Sequence, residues 1–362
     1  MSKGLFYKSL LIFCFTIMIT GCKQYCYKQE VKEINFVNED RKTVELNQIN
    51  YYPMGGYSFV TFDDYIFFIT NNPDGQLRIF DINNNSEVAS IGSKGRAENE
   101  FITPSFIGEQ VYMKEGEITL PILDNGLILK EINIPKSIQQ GTAVVSSHTL
   151  SGGSIDGSSI SLIDNEATKQ FSYKKASSLG GKCIPPAFFV NEEGKEIQSL
   201  DIYGNPIYGN DVMSVMNQYN GSLFKHPQKN IIIQPLAEMN YILFFDIDNN
   251  KFFSVHQDGT RTFEDKLPDD HINGKRSNLC FGDVAVSDNF FFVLYYSKCR
   301  AEKEADSKCE VLMFDWDGNY LNGFKSDTEI HRISYNKKNK MLYGICIPQE
   351  QLFSINIDSM LK

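Results

Sequence analysis

An all-β fold built from a repeated four-stranded unit is what this sequence predicts, and three observations carry the prediction. Short runs rich in Phe, Tyr, Ile and Val (YSFVTF, DYIFFIT, NYILFFDI, NFFFVLYY, EVLMFDW, MLYGICI) alternate with clusters of Asn, Asp and Gly, while helical periodicity is scarce. The pattern F-D-x-[DN]-x-N recurs at 80–85, 245–250 and 314–319, each time between two apolar runs and behind a third. The resulting unit of about 40–45 residues has the period of propeller blades rather than of helical solenoids. The expected architecture is therefore a six-bladed β-propeller. Seven blades is the alternative, because the third unit is irregular.

Taken in order, the units fall near 57–100, 101–136, 142–208, 212–262, 278–327 and 329–358. The Ser/Gly-rich stretch 146–161 reads as a flexible connection, and 209–219 as a short helix or turn. The final unit (EIHRISY, KMLYGICI, QLFSINI) supplies three strands where a blade needs four. The early stretch KTVELNQI can add the missing one, closing the ring with an N-terminal strand and removing an open sheet edge. The recurrent Asp/Asn triplets read as turns. Counted as calcium loops from Asp81, Asp246 and Asp315, they lack both the Gly at position 6 and the Glu at position 12.

The first residues stand apart from this pattern. Lys3 and Lys8 precede an apolar run from Ser9 to Ile19, too short for a bilayer that needs about 20 apolar residues. It fits a signal-peptide core. The following Ile19-Thr20-Gly21-Cys22 resembles the lipobox of bacterial lipoproteins, which implies cleavage before Cys22 and acylation of that residue. Several acyl chains anchor stably where one alone binds only marginally. The expected organisation is a signal peptide over 1–21, a lipid-attached tether over 22–42 and one propeller domain over 43–362. No acidic cluster follows Cys22, so the expected address is the outer membrane, facing the periplasm.

The chain has 362 residues, 42% hydrophobic and 22% charged, which excludes wholesale disorder, collagen and coiled coil. Its formal net charge of −10, with no Lys/Arg cluster, argues against a nucleic-acid partner. Of eight cysteines, six remain beyond the signal and the lipid site. Cys299 and Cys309 flank a polar run between two strand-like stretches, and a disulfide between them is the expected pair; free, partly buried thiols are the other reading. With no CxxC, and with His148, His226, His256, His271 and His331 far apart and none near a cysteine in sequence, no metal and no cofactor is expected.

Residues 91–104 read IGSKGRAENEFITP. Gly92, Gly95, Phe101 and Pro104 match the spacing of an NHL-type propeller repeat, and the stretch resembles the opening motif of TolB-like six-bladed propeller lipoproteins of the Bacteroidetes type. Here only Gly95, Glu100 and Phe101 of that G-x-G-x-G-P-G-E-F pattern are kept. FDWDGN at 314–319 and the I-x-x-I…LY closing unit (Ile330, Ile333, Leu342, Tyr343) resemble the same family. The resemblance implies a six-bladed propeller on a lipid anchor and carries no catalytic assignment. Physically, Gly92 and Gly95 suit a tight inter-blade turn and Phe101 a wedge between sheets. Lys94 and Arg96 would project from that loop, either as solvated surface charges or as contacts for an anionic ligand.

No nucleophile elbow, P-loop, dinucleotide fingerprint or HExxH is present. The expected function is a lipid-anchored envelope module that binds or scaffolds a protein, peptide or glycan. The alternative is a propeller hydrolase or lyase acting on a glycan or peptide through residues of the central funnel.

Overall fold

The computed structural model describes residues 25–26, 30–36 and 41–357, except 151–156, 167, 176, 180–181, 185, 194, 202–206, 209–216, 264, 266–277 and 300–308. Six antiparallel sheets follow one another along the chain. Blade 1 consists of Gly56–Phe62, Tyr65–Thr70, Leu77–Asp81 and Ser86–Ile91. Blade 2 runs from Pro104–Phe106 and Tyr112–Lys114 through Glu117–Asp124 and Ile128–Asn133 to Val145–Thr149. Blade 3 holds Ile160–Leu162, Lys169–Lys174, Ala187–Glu192 and Lys195–Asp201. Blade 4 holds Phe224–Lys225, Ile231–Pro235, Tyr241–Asp246 and Lys251–Gln257. Blade 5 holds Asn278–Val286, Phe290–Cys299, Glu310–Asp315 and Tyr320–Ser326. Blade 6 joins Arg332–Asn336, Met341–Cys346 and Gln351–Asn356 to the early strand Asn47–Ile49.

The core shows that these sheets form a closed ring. Among the described residues there are six hydrophobic clusters, and each fills the seam between two successive blades. The last joins Phe59, Phe68 and Phe80 of blade 1 to Tyr343, Ile345 and Leu352 of blade 6. Aromatic rings do much of this packing. Phe171 and Phe188 of blade 3 meet Phe245 of blade 4 at centroid distances of 4.9 and 4.7 Å, close enough for aromatic attraction beyond area burial.

The triplets are turns, as their composition predicts. Asp81 Oδ1 accepts the amides of Asn83 and Asn84, Asp246 Oδ1 that of Asn249, and Asp315 Oδ1 those of Asp317 and Asn319. Asn85 and Asn250 take left-handed φ values of 50° and 51°, which Asn tolerates better than most residues. All three turns link the third and fourth strands of their blades.

The N-terminal segment does more than close blade 6. Tyr25–Cys26 pairs in parallel with the outer strand of blade 3, Glu30–Ile34 with that of blade 4, and Thr43–Val44 with that of blade 5. Much of the stretch expected as a tether is therefore a belt on the ring. An outer strand presents a row of unpaired amides and carbonyls, and a passing peptide can satisfy them whatever its side chains. Phe36 pins the belt: it is buried between blades 4 and 5 against Tyr295 and Phe314, while its amide donates to Gln257 Oε1. The Arg41 side chain, 1% exposed, pairs with Glu310 at 2.6 Å.

Three further features differ from the sequence reading. A short helix, Ile134–Gln140, replaces the turn between the last two strands of blade 2, capped by Asn133 and ended by Gly141 at φ 66°. Val145–Thr149, read as part of a flexible connection, is the outer strand of that blade. The irregularity of the third unit is a separate three-stranded sheet, Ser177–Leu179, Lys182–Ile184 and Ile207–Tyr208, not a seventh blade.

The expected Cys299–Cys309 disulfide is absent: Cys309 is a free, buried thiol, pushed up to about 12 chiefly by burial. Register explains it. Tyr295 pairs with Glu310, which sets Cys309 level with Tyr296, and Cys299 pairs with Asn278 on the other side. Three residues of strand, about 10 Å, then separate the two cysteines along the blade, beyond the Cα separation a disulfide spans.

Candidate functional site

The innermost strands surround a central channel, and blade 2 closes it. Its inner edge is interrupted: Pro104–Phe106 pairs with residues 122–124 and Tyr112–Lys114 with 117–119, so 107–111 leave the sheet. This excursion touches four other blades. The Gln110 side chain accepts from the Leu162 amide and donates to the Leu162 carbonyl of blade 3, both at 2.8 Å, as a neighbouring strand would. Gly108 has φ 53°, and a Cβ there would stand 3.0 Å from the Leu223 carbonyl oxygen beside blade 4. Glu109 Oε2 accepts the Val286 amide of blade 5 at 2.5 Å. Blades 2 and 5 are opposite each other in a ring of six, so Glu109 reaches across the axis. The Ser334 hydroxyl of blade 6, bonded to Thr61 of blade 1, also favours its carboxylate form.

Two carboxyls thus share the waist. Burial raises Glu109 well above the usual carboxylate range, and the charge of Asp283 adds to this. Asp283, whose Oδ2 accepts the Ile333 amide at 3.0 Å, is raised for the same first reason, opposed by Arg332. Desolvation favours the neutral acid in both cases.

The loop 91–104 lies on the face where the innermost strands begin. Gly92 has φ 72°, and a Cβ there would fall 2.0 Å from Phe101 Cε2; at Gly95 it would fall 1.8 Å from Glu100 Oε2. Phe101 is fully buried in the seam between blades 1 and 2. Glu100 accepts the Ala97 amide at 2.9 Å, and Pro104 opens the inner strand of blade 2, its carbonyl accepting from the Tyr57 hydroxyl. Beneath the loop is an ion pair that the sequence reading missed. Asp124 Oδ1 accepts the amides of Ile102 and Thr103, both at 2.9 Å, and its Oδ2 lies 3.2 Å from Lys130 Nζ. Lys130 also donates to the Glu100 carbonyl and stands 5.0 Å from the centroid of the Phe101 ring. The loop is held from below while Lys94 and Arg96 are exposed above it.

The fold also assembles what the sequence spacing hides. Glu329, His331 and Cys346 bring one oxygen, one nitrogen and one sulfur within 4.8 Å of one another at the entry to blade 6. The alternation E-x-H and a cysteine in the next strand were the available signals, but only cross-strand register joins them. Glu109 left a fainter trace, a Gly-Glu interruption within an otherwise strand-like run. Cys22 lies outside the described residues.

No known family profile and no curated protein matches the chain. Solved structures do. A DUF4221-family protein from Bacteroides vulgatus superposes over 89% of this chain and 98% of its own, with a TM-score of 0.53 and 13% identity. A protein from Bacteroides fragilis described as exported covers 87% of both chains at 0.46 and 10%. The β-propeller domain of Swd1 from Myceliophteria thermophila covers 85% of this chain and 99% of its own at 0.45 and 11%. The six sheets and the closed ring of seams make the chain a six-bladed β-propeller, and at such identities the likeness to the DUF4221-family protein shows no more than a shared fold.

Proposed function

We propose that this chain is a lipid-anchored envelope module that binds an anionic stretch of a protein, peptide or glycan on the face carrying Lys94 and Arg96. The observation that carries this reading is the braced loop 91–104. Its backbone is tied to Asp124, Lys130 and Phe101, and two exposed cations stand on it with no ion-pair partner among the described residues. A loop already ordered loses little entropy when it binds, so its contacts count toward affinity. The plug at Glu109 supports the same reading, since recognition falls to the faces when nothing threads the channel.

The TolB-like resemblance and the lipobox-like run Ile19–Cys22 support Cys22 as the acylated residue. Only two residues, Lys23 and Gln24, then separate the anchor from the belt strand on blade 3, so the ring would ride close to the membrane by that rim. The alternative, a hydrolase or lyase, draws on Glu109 and Asp283 as proton donors; the plug in which Glu109 sits weighs against it.

The test uses the full chain with two probes, a polyglutamate peptide and a polygalacturonate oligosaccharide, followed by calorimetry. Salt-sensitive binding of either probe, weakened at least about tenfold by Lys94→Ala with Arg96→Ala, is the expected result. Absence of binding to both, or equal binding by the double variant, refutes the assigned face. Acylation is read separately, as loss of lipid label and of membrane association in Cys22→Ser.

A further inference from the structure

The approach to blade 6 carries a group of side chains that the binding reading does not use. Ile330 is fully buried in the seam between blades 5 and 6, and the Tyr296 hydroxyl donates to its carbonyl at 3.0 Å. The His331 amide donates to the Ile345 carbonyl at 2.8 Å. These contacts fix the backbone on which Glu329 and His331 stand, and their side chains turn to one side, His331 Nε2 lying 3.6 Å from Glu329 Oε1. The Arg332–Ile345 pairing joins this segment to the strand Met341–Cys346, and at the end of that ladder the His331 imidazole, the Cys346 thiol and the Glu329 carboxylate come within 4.8 Å of one another.

We propose that Glu329, His331 and Cys346 form a binding site for a zinc-class divalent metal, with a fourth position open toward the channel mouth. The donor set argues for the metal. A thiolate and an imidazole beside one carboxylate suit zinc and its neighbours, while magnesium and calcium require oxygen donors. Geometry agrees. Tetrahedral zinc with bonds of about 2.0–2.3 Å keeps neighbouring donors about 3.3–3.8 Å apart. The Glu329–His331 separation already has that value, and the full set, within 4.8 Å, needs a contraction of about 1 Å. Access also agrees: the side chains of Glu329 and His331 are 15% and 20% exposed, whereas Cys346 is 1% exposed and closed to bulk oxidants. Three protein ligands with one open position is the arrangement of zinc sites that hold water or a substrate atom. Two residues further along the chain from His331, the Ile333 amide donates to Asp283 of blade 5.

The experiment reads metal alone and is independent of the anionic-ligand test. The full chain, reduced and stripped with a chelator, is titrated with Zn2+ against a chromophoric chelator and with Co2+ by absorption. The expected result is one metal per chain, a thiolate-to-cobalt charge-transfer band from Cys346, and affinity weakened by more than about 100-fold in His331→Ala and in Glu329→Gln. Loss of a ligand should exceed the 10–100-fold typical of outer-shell changes. His148→Ala should bind as the parent does. Both ligand variants alter partly exposed side chains, and their melting curves in chelator report folding; if one fails to fold, the other carries the test. No stoichiometric uptake, uptake unchanged in the folded variants, or a cobalt spectrum without the thiolate band overturns the site.

Discussion

Replacing Lys130 by Met tests whether the loop 91–104 is braced by its buried ion pair. Met matches the volume and flexibility of the lysine stem, so packing is nearly preserved and the charge is removed. Asp124 is then left as a carboxylate 1% exposed, retaining two backbone donors but no counter-charge. Stranding one member of a buried pair costs about 3–5 kcal/mol. The Glu100 carbonyl also loses its donor, and the Phe101 ring loses the cation over its face. At about 2 °C per kcal/mol for a domain of this size, melting should fall by roughly 6–10 °C. Hydrogen exchange localises the effect: the Ile102 and Thr103 amides should lose protection before those of the blade 4 strands. A variant within about 1 kcal/mol of the parent in denaturant unfolding, with unchanged protection at those two amides, would refute the reasoning.

Two other perturbations probe the belt and the plug. Phe36→Ala should cost about 3–5 kcal/mol, the usual range for deleting a buried aromatic. Limited proteolysis should then cut within 30–36 while the blades stay folded; an intact, uncut belt would show that Phe36 does not pin it. For Glu109→Gln the sign follows from the raised pKa. The folded state holds the proton more tightly than the unfolded state, so the parent loses stability as pH rises from the unfolded carboxylate value through the folded one. The amide variant lacks this loss, and its advantage should therefore appear at neutral pH and shrink toward pH 4. Parallel stability–pH curves for the two proteins would remove Glu109 as the titrating group.

The all-β class, the six blades and the closing strand were legible in the sequence because they depend on local physics. Alternating apolar runs specify strands, Asp and Asn at fixed offsets specify turns such as 81–85 and 315–319, and a unit of three apolar strands leaves an edge that a fourth can pair. Gly92 and Phe101 were legible for the same reason, since a glycine turn and a buried ring nine residues later leave a local pattern. What needed the tertiary structure is everything that depends on the order of blades in space. Glu109 meets Val286 only because blades 2 and 5 are opposite. His331 comes near Cys346 only because blade 6 pairs the strands that carry them, and the register of blade 5 separates Cys299 from Cys309. The belt was hidden because parallel pairing on an outer edge is made by backbone groups, which every residue carries. Sequence by itself thus determined the blades, and it carries the expectation of an anchor at Cys22. The tertiary structure decided what stands in the channel, what lies near its mouth and that Cys309 is a free thiol, because those depend on distances that only ring closure and register set.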